Sequence, residues 1–361
     1  MPNNVVRGLA RAVVQHCVFA TRPRTGTPSR KYRKERAYVL AYHSVCPQDD
    51  PYLPYIGANL SVTPDAFARH IAFLVRHYEV VSLSTLARHL DSGYDGDRPL
   101  VALTFDDGYR DNYRFAYPIL RRNGVPATFF LTTDCIDSDS PLWPMEASYV
   151  LLNTDRSTLR LKGFEITWDL SNLAARRAAL RGLKNYLTDL PRTQRERTLG
   201  DLRSEAKVNH TNWLCEAMLR WSEVREMRDA GMEFGSHTCS HPSLPYIPLD
   251  EARDEIVLSK ARLEEAIDAS VLHFCYPNPA GRVNFNETLD QIVISCGYQT
   301  SATSQDGHVQ IPGSPYDMNR KGVYGNFSGL AAFYCRLEED ALNKRPDTSI
   351  RRPVDGAPAC K

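Results

Sequence analysis

The sequence predicts an α/β fold whose parallel sheet curls into a closed or nearly closed barrel. Two observations predict it. Apolar, β-branched runs alternate with helical patterns from residue 37 onward, which is the grammar of strand–helix–strand units. Each apolar run also ends in polar or reactive residues, as expected where chemistry gathers at the C-terminal ends of barrel strands.

The strands come in order. Tyr38-Val39-Leu40-Ala41-Tyr42 runs into His43, and Val101-Ala102-Leu103-Thr104-Phe105 runs into Asp106. Ala127 to Leu131 runs into Thr132-Thr133, Met232 to Ser236 into His237, and Val271 to Cys275 into Tyr276-Pro277. Helices are expected between them. Thr63-Pro64-Asp65 caps one through about Tyr78, with Phe67, Ile71 and Leu74 at helical spacing. Others are expected over Asp111–Arg122, Trp221–Ala230 and Leu249–Ile267.

Residues 141–218 interrupt this pattern. Residues 159–168 read as a hairpin, and two charged helices follow at about 171–189 and 193–207, separated by Pro191. This is an inserted, mostly helical subdomain, either a lid over the site or a surface decoration. The expected organisation is a basic N-terminal segment 1–36, a barrel 37–330 interrupted by 141–218, and a C-terminal helix with a loose tail over 331–361.

A net charge of +1 with 42% hydrophobic and 24% charged residues describes an ordinary globular protein and gives no ground for a nucleic-acid partner. The charge is uneven, however. Residues 1–36 hold nine Lys or Arg and one acid, leaving 35 basic and 42 acidic residues elsewhere. Val5, Val6, Leu9, Val13 and Val14 with Arg7 and Arg11 fit either a short basic amphipathic helix on a membrane surface or a frayed tail. The segment makes a poor signal peptide, because Gln15 and His16 break its apolar run. The expected location is cytoplasmic, with the inner membrane surface as a candidate contact. Nine cysteines without CxxC spacing read as reduced, buried thiols.

The most informative residues are Asp106 and Asp107. Adjacent carboxylates at a strand end resist joint ionisation unless one binds a cation, which frees the other to act as a base. Gly108 suggests a turn that brings both into one cleft. His237-Thr238-Cys239-Ser240-His241 places two imidazoles four residues apart. With an aspartate from another strand end they complete a two-His, one-carboxylate metal set with open positions. That set suits a hydrolase and also a non-haem iron oxygenase, but only the hydrolase uses the second aspartate directly.

These two segments resemble the first two motifs of the polysaccharide deacetylases, the NodB-homology domains of carbohydrate esterase family 4. The first is Thr104-Phe105-Asp106-Asp107-Gly108 and the second is His237 to His241. The resemblance covers about residues 37–140 and 219–325. It implies a distorted (β/α) barrel with Zn²⁺ or another divalent metal on Asp107, His237 and His241. It also implies that Asp106 is the general base acting on metal-bound water, and that an acetylated polysaccharide or oligosaccharide is the substrate. N-acetylated hexosamine is favoured over O-acetyl sugar, and a non-catalytic carbohydrate-binding relative is the non-enzyme alternative.

The chain departs from the family pattern twice. The third motif, Phe274 to Gly281, lacks its preceding Arg; Tyr276 is the candidate oxyanion N–H, and Arg320 could supply the missing cation. No Leu-x-His follows residue 282. Leu40-Ala41-Tyr42-His43 at the front resembles the circularly permuted, biofilm-type members, which makes His43 the expected general acid. The order also resembles deacetylases found among bacterial exopolysaccharide genes.

Overall fold

The computed structural model describes residues 34–161, 167–277 and 286–342. Six parallel strands form its centre: β1 Arg36–Tyr42, β2 Leu100–Phe105, β3 Thr128–Leu131, β4 Glu233–Ser236, β5 His273–Cys275 and β6 Thr300–Ala302. They lie in the order β6-β5-β4-β3-β2-β1. All six residues of β2 and six of the seven of β1 are buried. Strands covered on both faces read as continuous apolar runs, and these do.

Beyond β1 the sheet gains β7, Val309–Gln310, antiparallel to its start, and β8, Lys321–Gly322, parallel to its end. The segment leading into β8 also bonds to the opposite edge. Met318 N–H donates to Ser301 O at 3.0 Å, and Thr303 N–H to Met318 O at 3.0 Å. Residues 318–322 thus touch both edge strands and close the sheet into a distorted barrel. The first strand meets the last as the barrel requires.

Helices cover the outside. The expected helix after Thr63 forms as α1, Pro64–His77, with Thr63 Oγ1 accepting from Ala66 N–H and Pro64 in its first turn. Ser82 caps α2, Leu83–Ser92. The run Asp111–Arg122 is not one α-helix. It begins with a π-helical turn, Asn112–Ala116, and becomes α-helical over Tyr117–Arg122. Pro118 has no N–H for the regular ladder, and Tyr117 N–H bonds back to Asn112 O.

The insertion has its own apolar cluster, joining Trp143, Val150, Leu183, Leu187, Leu199 and Leu202. Its helices are α3 Trp143–Asn153, α4 Leu173–Thr188 and α5 Arg192–Ala206. The hairpin pairs Thr158–Leu159 with Trp168–Asp169, although its tip, 162–166, lies outside the described residues. The long helix α6, Leu249–Ile267, follows the His pair, and α7, Leu330–Leu342, ends the described chain. The expected N-terminal helix and the C-terminal tail beyond 342 lie outside the described residues. No described helix is long and apolar enough to cross a membrane. The seven described cysteines are free thiols.

Candidate metal centre and catalytic residues

The strand register brings the site together. Tyr42 pairs with Phe105 across β1 and β2, and Asp106 N–H donates to Tyr42 O at 3.0 Å. His43 and Asp106 therefore leave adjacent strands at the same level. His237 follows β4 in the same way, its N–H bonding Leu131 O at 2.9 Å.

Asp107 then turns in an uncommon way. Its φ is +75° and that of Gly108 is +88°. Left-handed backbone in a non-glycine residue costs on the order of 1–3 kcal/mol and persists only where surroundings impose it. This turn defeats the strand alternation that would point the two carboxylates to opposite faces. The sequence signalled the turn through Gly108, and the structure has it run through Asp107 and Gly108 together.

Asp107 Oδ1 lies 3.5 Å from His237 Nε2 and 3.2 Å from His241 Nε2. The three atoms fall within the spacing that one ion would span. Asp107 Oδ1 is buried and makes no hydrogen bond of acceptable geometry. His237 Nδ1 sits 2.8 Å from Cys275 O, which fixes that nitrogen as the donor and leaves Nε2 with its lone pair free to ligate. A buried carboxylate oxygen and two imidazole nitrogens aimed at one point are a fitting donor set for a divalent ion.

Asp106 has a different partner. Arg320 grips it with a fork, Nη1 to Oδ1 at 2.7 Å and Nη2 to Oδ2 at 2.8 Å, both residues being buried. Burial pushes the Asp106 pKa up, but the guanidinium charge outweighs it and holds the carboxyl below its usual range. The cation missing from the third motif thus arrives from the closing segment, at the Arg320 the sequence offers for it. His43 Nε2 lies 3.9 Å from Asp106 Oδ2, and its Nδ1 is buried without a hydrogen bond. His43 is held from behind. Asn112 Nδ2 donates to His43 O at 2.9 Å, and Ser44 Oγ donates to Asp111 Oδ2 at 2.5 Å. Burial raises the Asp111 carboxyl to about 7.

One expectation fails on geometry. Tyr276 N–H donates to Ala302 O at 3.0 Å, extending the β5–β6 ladder, so it is not available as an oxyanion donor. The Tyr276 ring is buried, with its hydroxyl 3.3 Å from Asp290 Oδ1. The rest of the expected third motif, residues 278–281, lies outside the described residues.

Residues of the insertion that sequence reasoning did not single out also reach the site. Trp143 Nε1 donates to His241 O at 2.9 Å, and Arg195 donates to Ser240 O at 3.1 Å and to Ser240 Oγ at 2.7 Å. Glu255 of α6 accepts from Cys239 N–H at 2.7 Å and Ser240 N–H at 2.9 Å. The signal for two of them was present. Arg195 falls on the apolar stripe of Leu199, Leu202 and Ala206, and Glu255 on that of Ala252, Ile256 and Leu263. A charge in a buried stripe needs a specific partner.

The comparisons with known proteins agree with this geometry. The family model described as polysaccharide deacetylase matches residues 93–176 and 187–301, more than half of the chain. The poly-β-1,6-N-acetyl-D-glucosamine N-deacetylase of Staphylococcus epidermidis is 32% identical over 117 residues, 30% of this chain and 40% of that one. YxkH of Bacillus subtilis is 22% identical over 294 residues, covering 81% of this chain and 73% of its own. Among solved structures, the Streptococcus pyogenes deacetylase PplD superposes with a TM-score of 0.54 at 21% identity, over 85% of this chain and 98% of that one. IcaB from Ammonifex degensii follows at 0.53 and 17% identity, over 84% and 98%. The matched stretches span the two aspartates at the end of β2 and the His pair after β4, and the solved structures share the barrel: this chain belongs to the polysaccharide deacetylase family.

Proposed function

We propose that the protein is a metal-dependent deacetylase that hydrolyses the acetamido groups of a bacterial polysaccharide or glycan precursor. The observation that carries this reading is the pairing of two differently held aspartates, Asp107 facing two imidazoles and Asp106 facing Arg320. The Staphylococcus epidermidis relative, named for N-acetylglucosamine deacetylation, favours N-acetyl over O-acetyl substrates. PplD, alike in fold, was solved with acetate, the product such a reaction releases.

A divalent ion, with zinc favoured by the donor set, would be held by Asp107, His237 and His241, and when bound it supplies Lewis-acid polarisation and a lowered pKa for water. The remaining steps belong to the chain. Arg320 keeps Asp106 ionised and fixes the plane of its carboxylate, so that Asp106 can take a proton from water as its oxygen bonds the acetyl carbon. His43, on the neighbouring strand, delivers a proton to the departing nitrogen as the C–N bond breaks. Acetate and a free amine leave. The basic segment 1–36 is a candidate contact with the inner face of a membrane.

The test is acetate release by the purified protein from β-1,6-linked N-acetylglucosamine oligomers, before and after chelation. Activity that chelation abolishes and zinc or cobalt restores is expected. Turnover that persists in fully metal-depleted protein would overturn the reading.

A further inference from the structure

The His-pair loop is held in a conformation its own residues do not favour. Thr238 and His241 both have left-handed backbone, at φ +67° and +59°, and neither is glycine. Such geometry survives where surrounding bonds over-determine it. Two of those bonds come from the barrel side, where Glu255 accepts the N–H groups of Cys239 and Ser240. The carbonyls of Ser240 and His241 are both bonded by the insertion. Arg195 donates to Ser240 O and Oγ, and Trp143 to His241 O.

The two donors are coupled. The Arg195 guanidinium lies 5.7 Å from the centre of the Trp143 ring, and that ring lies 6.4 Å from the His241 ring. Arg195 is 2% exposed, from the inward stripe of α5, and its other nitrogen reaches Leu190 O at 3.4 Å. A decorative surface subdomain would have no reason to bury an arginine against the backbone of a ligand loop.

We propose that Arg195 is a positioning residue for the metal centre. Bonded to Ser240 and stacked on Trp143, which bonds His241, it makes the insertion hold His241 in its ligating orientation and sets how tightly the ion is retained. The mechanism resembles that of outer groups that orient a metal-bound histidine, except that the grip here is on the backbone carbonyls. The proposal rests on Asp107, His237 and His241 being the metal set.

Zinc affinity, measured by competition with a chromophoric chelator, tests it without reference to turnover. Arg195→Ala is expected to weaken zinc binding roughly 10- to 100-fold, the range for losing an outer-shell partner. Arg195→Lys should recover part of the loss. Trp143→Phe, which keeps an aromatic ring but removes the N–H to His241 along with part of the indole, should weaken binding by several-fold. Arg177→Ala, removing an exposed charge from α4, should change nothing. If Arg195→Ala does not fold, Trp143→Phe and Arg195→Lys decide the matter. Folded variants that bind zinc within twofold of wild type would overturn the proposal. A wild-type chain that takes up no divalent ion would overturn the metal reading itself, and the proposal with it.

Discussion

The two ends of the barrel use the same ingredients to opposite effect. At the N-terminal end, Glu233, Thr128, His273 and Thr300 are the first residues of four neighbouring strands. Glu233 Oε2 accepts from Leu83 N–H at 3.0 Å, Ser84 N–H at 3.3 Å and Thr128 Oγ1 at 3.0 Å, at the start of α2 where an anion is favoured. His273 Nε2 lies 2.9 Å from Ser84 Oγ and its Nδ1 2.9 Å from Thr300 Oγ1. Both imidazole nitrogens and the carboxylate oxygen are satisfied from within. At the C-terminal end, Asp107 Oδ1, His43 Nδ1 and His241 Nδ1 are buried and make no hydrogen bond. Buried polar groups that a fold leaves unmatched await something from outside. One end is a finished polar plug that docks a helix, whereas the other leaves donors unmatched, as the proposed ion and substrate require.

The contrast predicts that changes at the top act on rate and changes at the bottom on stability. Largest of all, Asp106→Asn should lower acetate release by about 10²–10⁴-fold, the usual contribution of a general base, with zinc content unchanged. His43→Ala should cost about 10²-fold on the same assay, again with the metal retained. Loss of zinc in either variant would transfer that residue to the ligand set. At the other end, Glu233→Gln should destabilise the fold by roughly 1–3 kcal/mol in denaturant melts, the cost of weakening charge-assisted hydrogen bonds. Its turnover per folded molecule should stay within about twofold of wild type, judged against the effects above. A Glu233 variant that lost activity at full stability would break the comparison.

Acidity should separate the two ends with opposite signs. Glu233 is partly buried, which raises its pKa, but its bonds to His273 and the serines outweigh this and lower the carboxyl to about 2. A depressed folded pKa gives stability that is present above the unfolded value, near 4.5, and is lost as pH falls from there toward 2. Asp111 behaves conversely. Burial raises it to about 7 from 3.8, so its contribution is best at low pH and erodes as pH rises between those values. Asp111→Asn cannot ionise, so its stability relative to wild type should improve steadily from pH 4 to 7. The full difference is on the order of 2–4 kcal/mol. Denaturant midpoints of the two proteins across that range would check it, and a constant difference would refute it.

Much of this was legible beforehand because it rests on local pattern. The strands carrying His43, Asp106 and His237 were visible as apolar runs ending in reactive residues. The insertion helices expected at 171–189 and 193–207 formed at 173–188 and 192–206. What could not be read were pairings across the chain. Arg320 was noticed, yet its fork on Asp106 depends on a closing segment that carries little strand signal. Tyr276 was misjudged for a related reason, since whether its N–H faces a ligand or a neighbouring strand depends on how far β6 extends. The π-turn at Asn112 escaped because helical periodicity does not count backbone bonds.

The closing segment also has a consequence in time. Leu40 pairs with Lys321, almost the whole described chain away, and Arg320 beside that pair is what neutralises Asp106. Contacts so distant in sequence form slowly, because loop closure precedes any gain from them. During synthesis β1 emerges first and then waits for nearly everything else before it acquires its last neighbour. Until then Asp106 sits at the mouth of an open sheet as an uncompensated charge. Catalytic competence should therefore be among the last properties this chain acquires as it folds, and a nascent or truncated copy would carry Asp107, His237 and His241 yet lack the arginine that holds Asp106 in place.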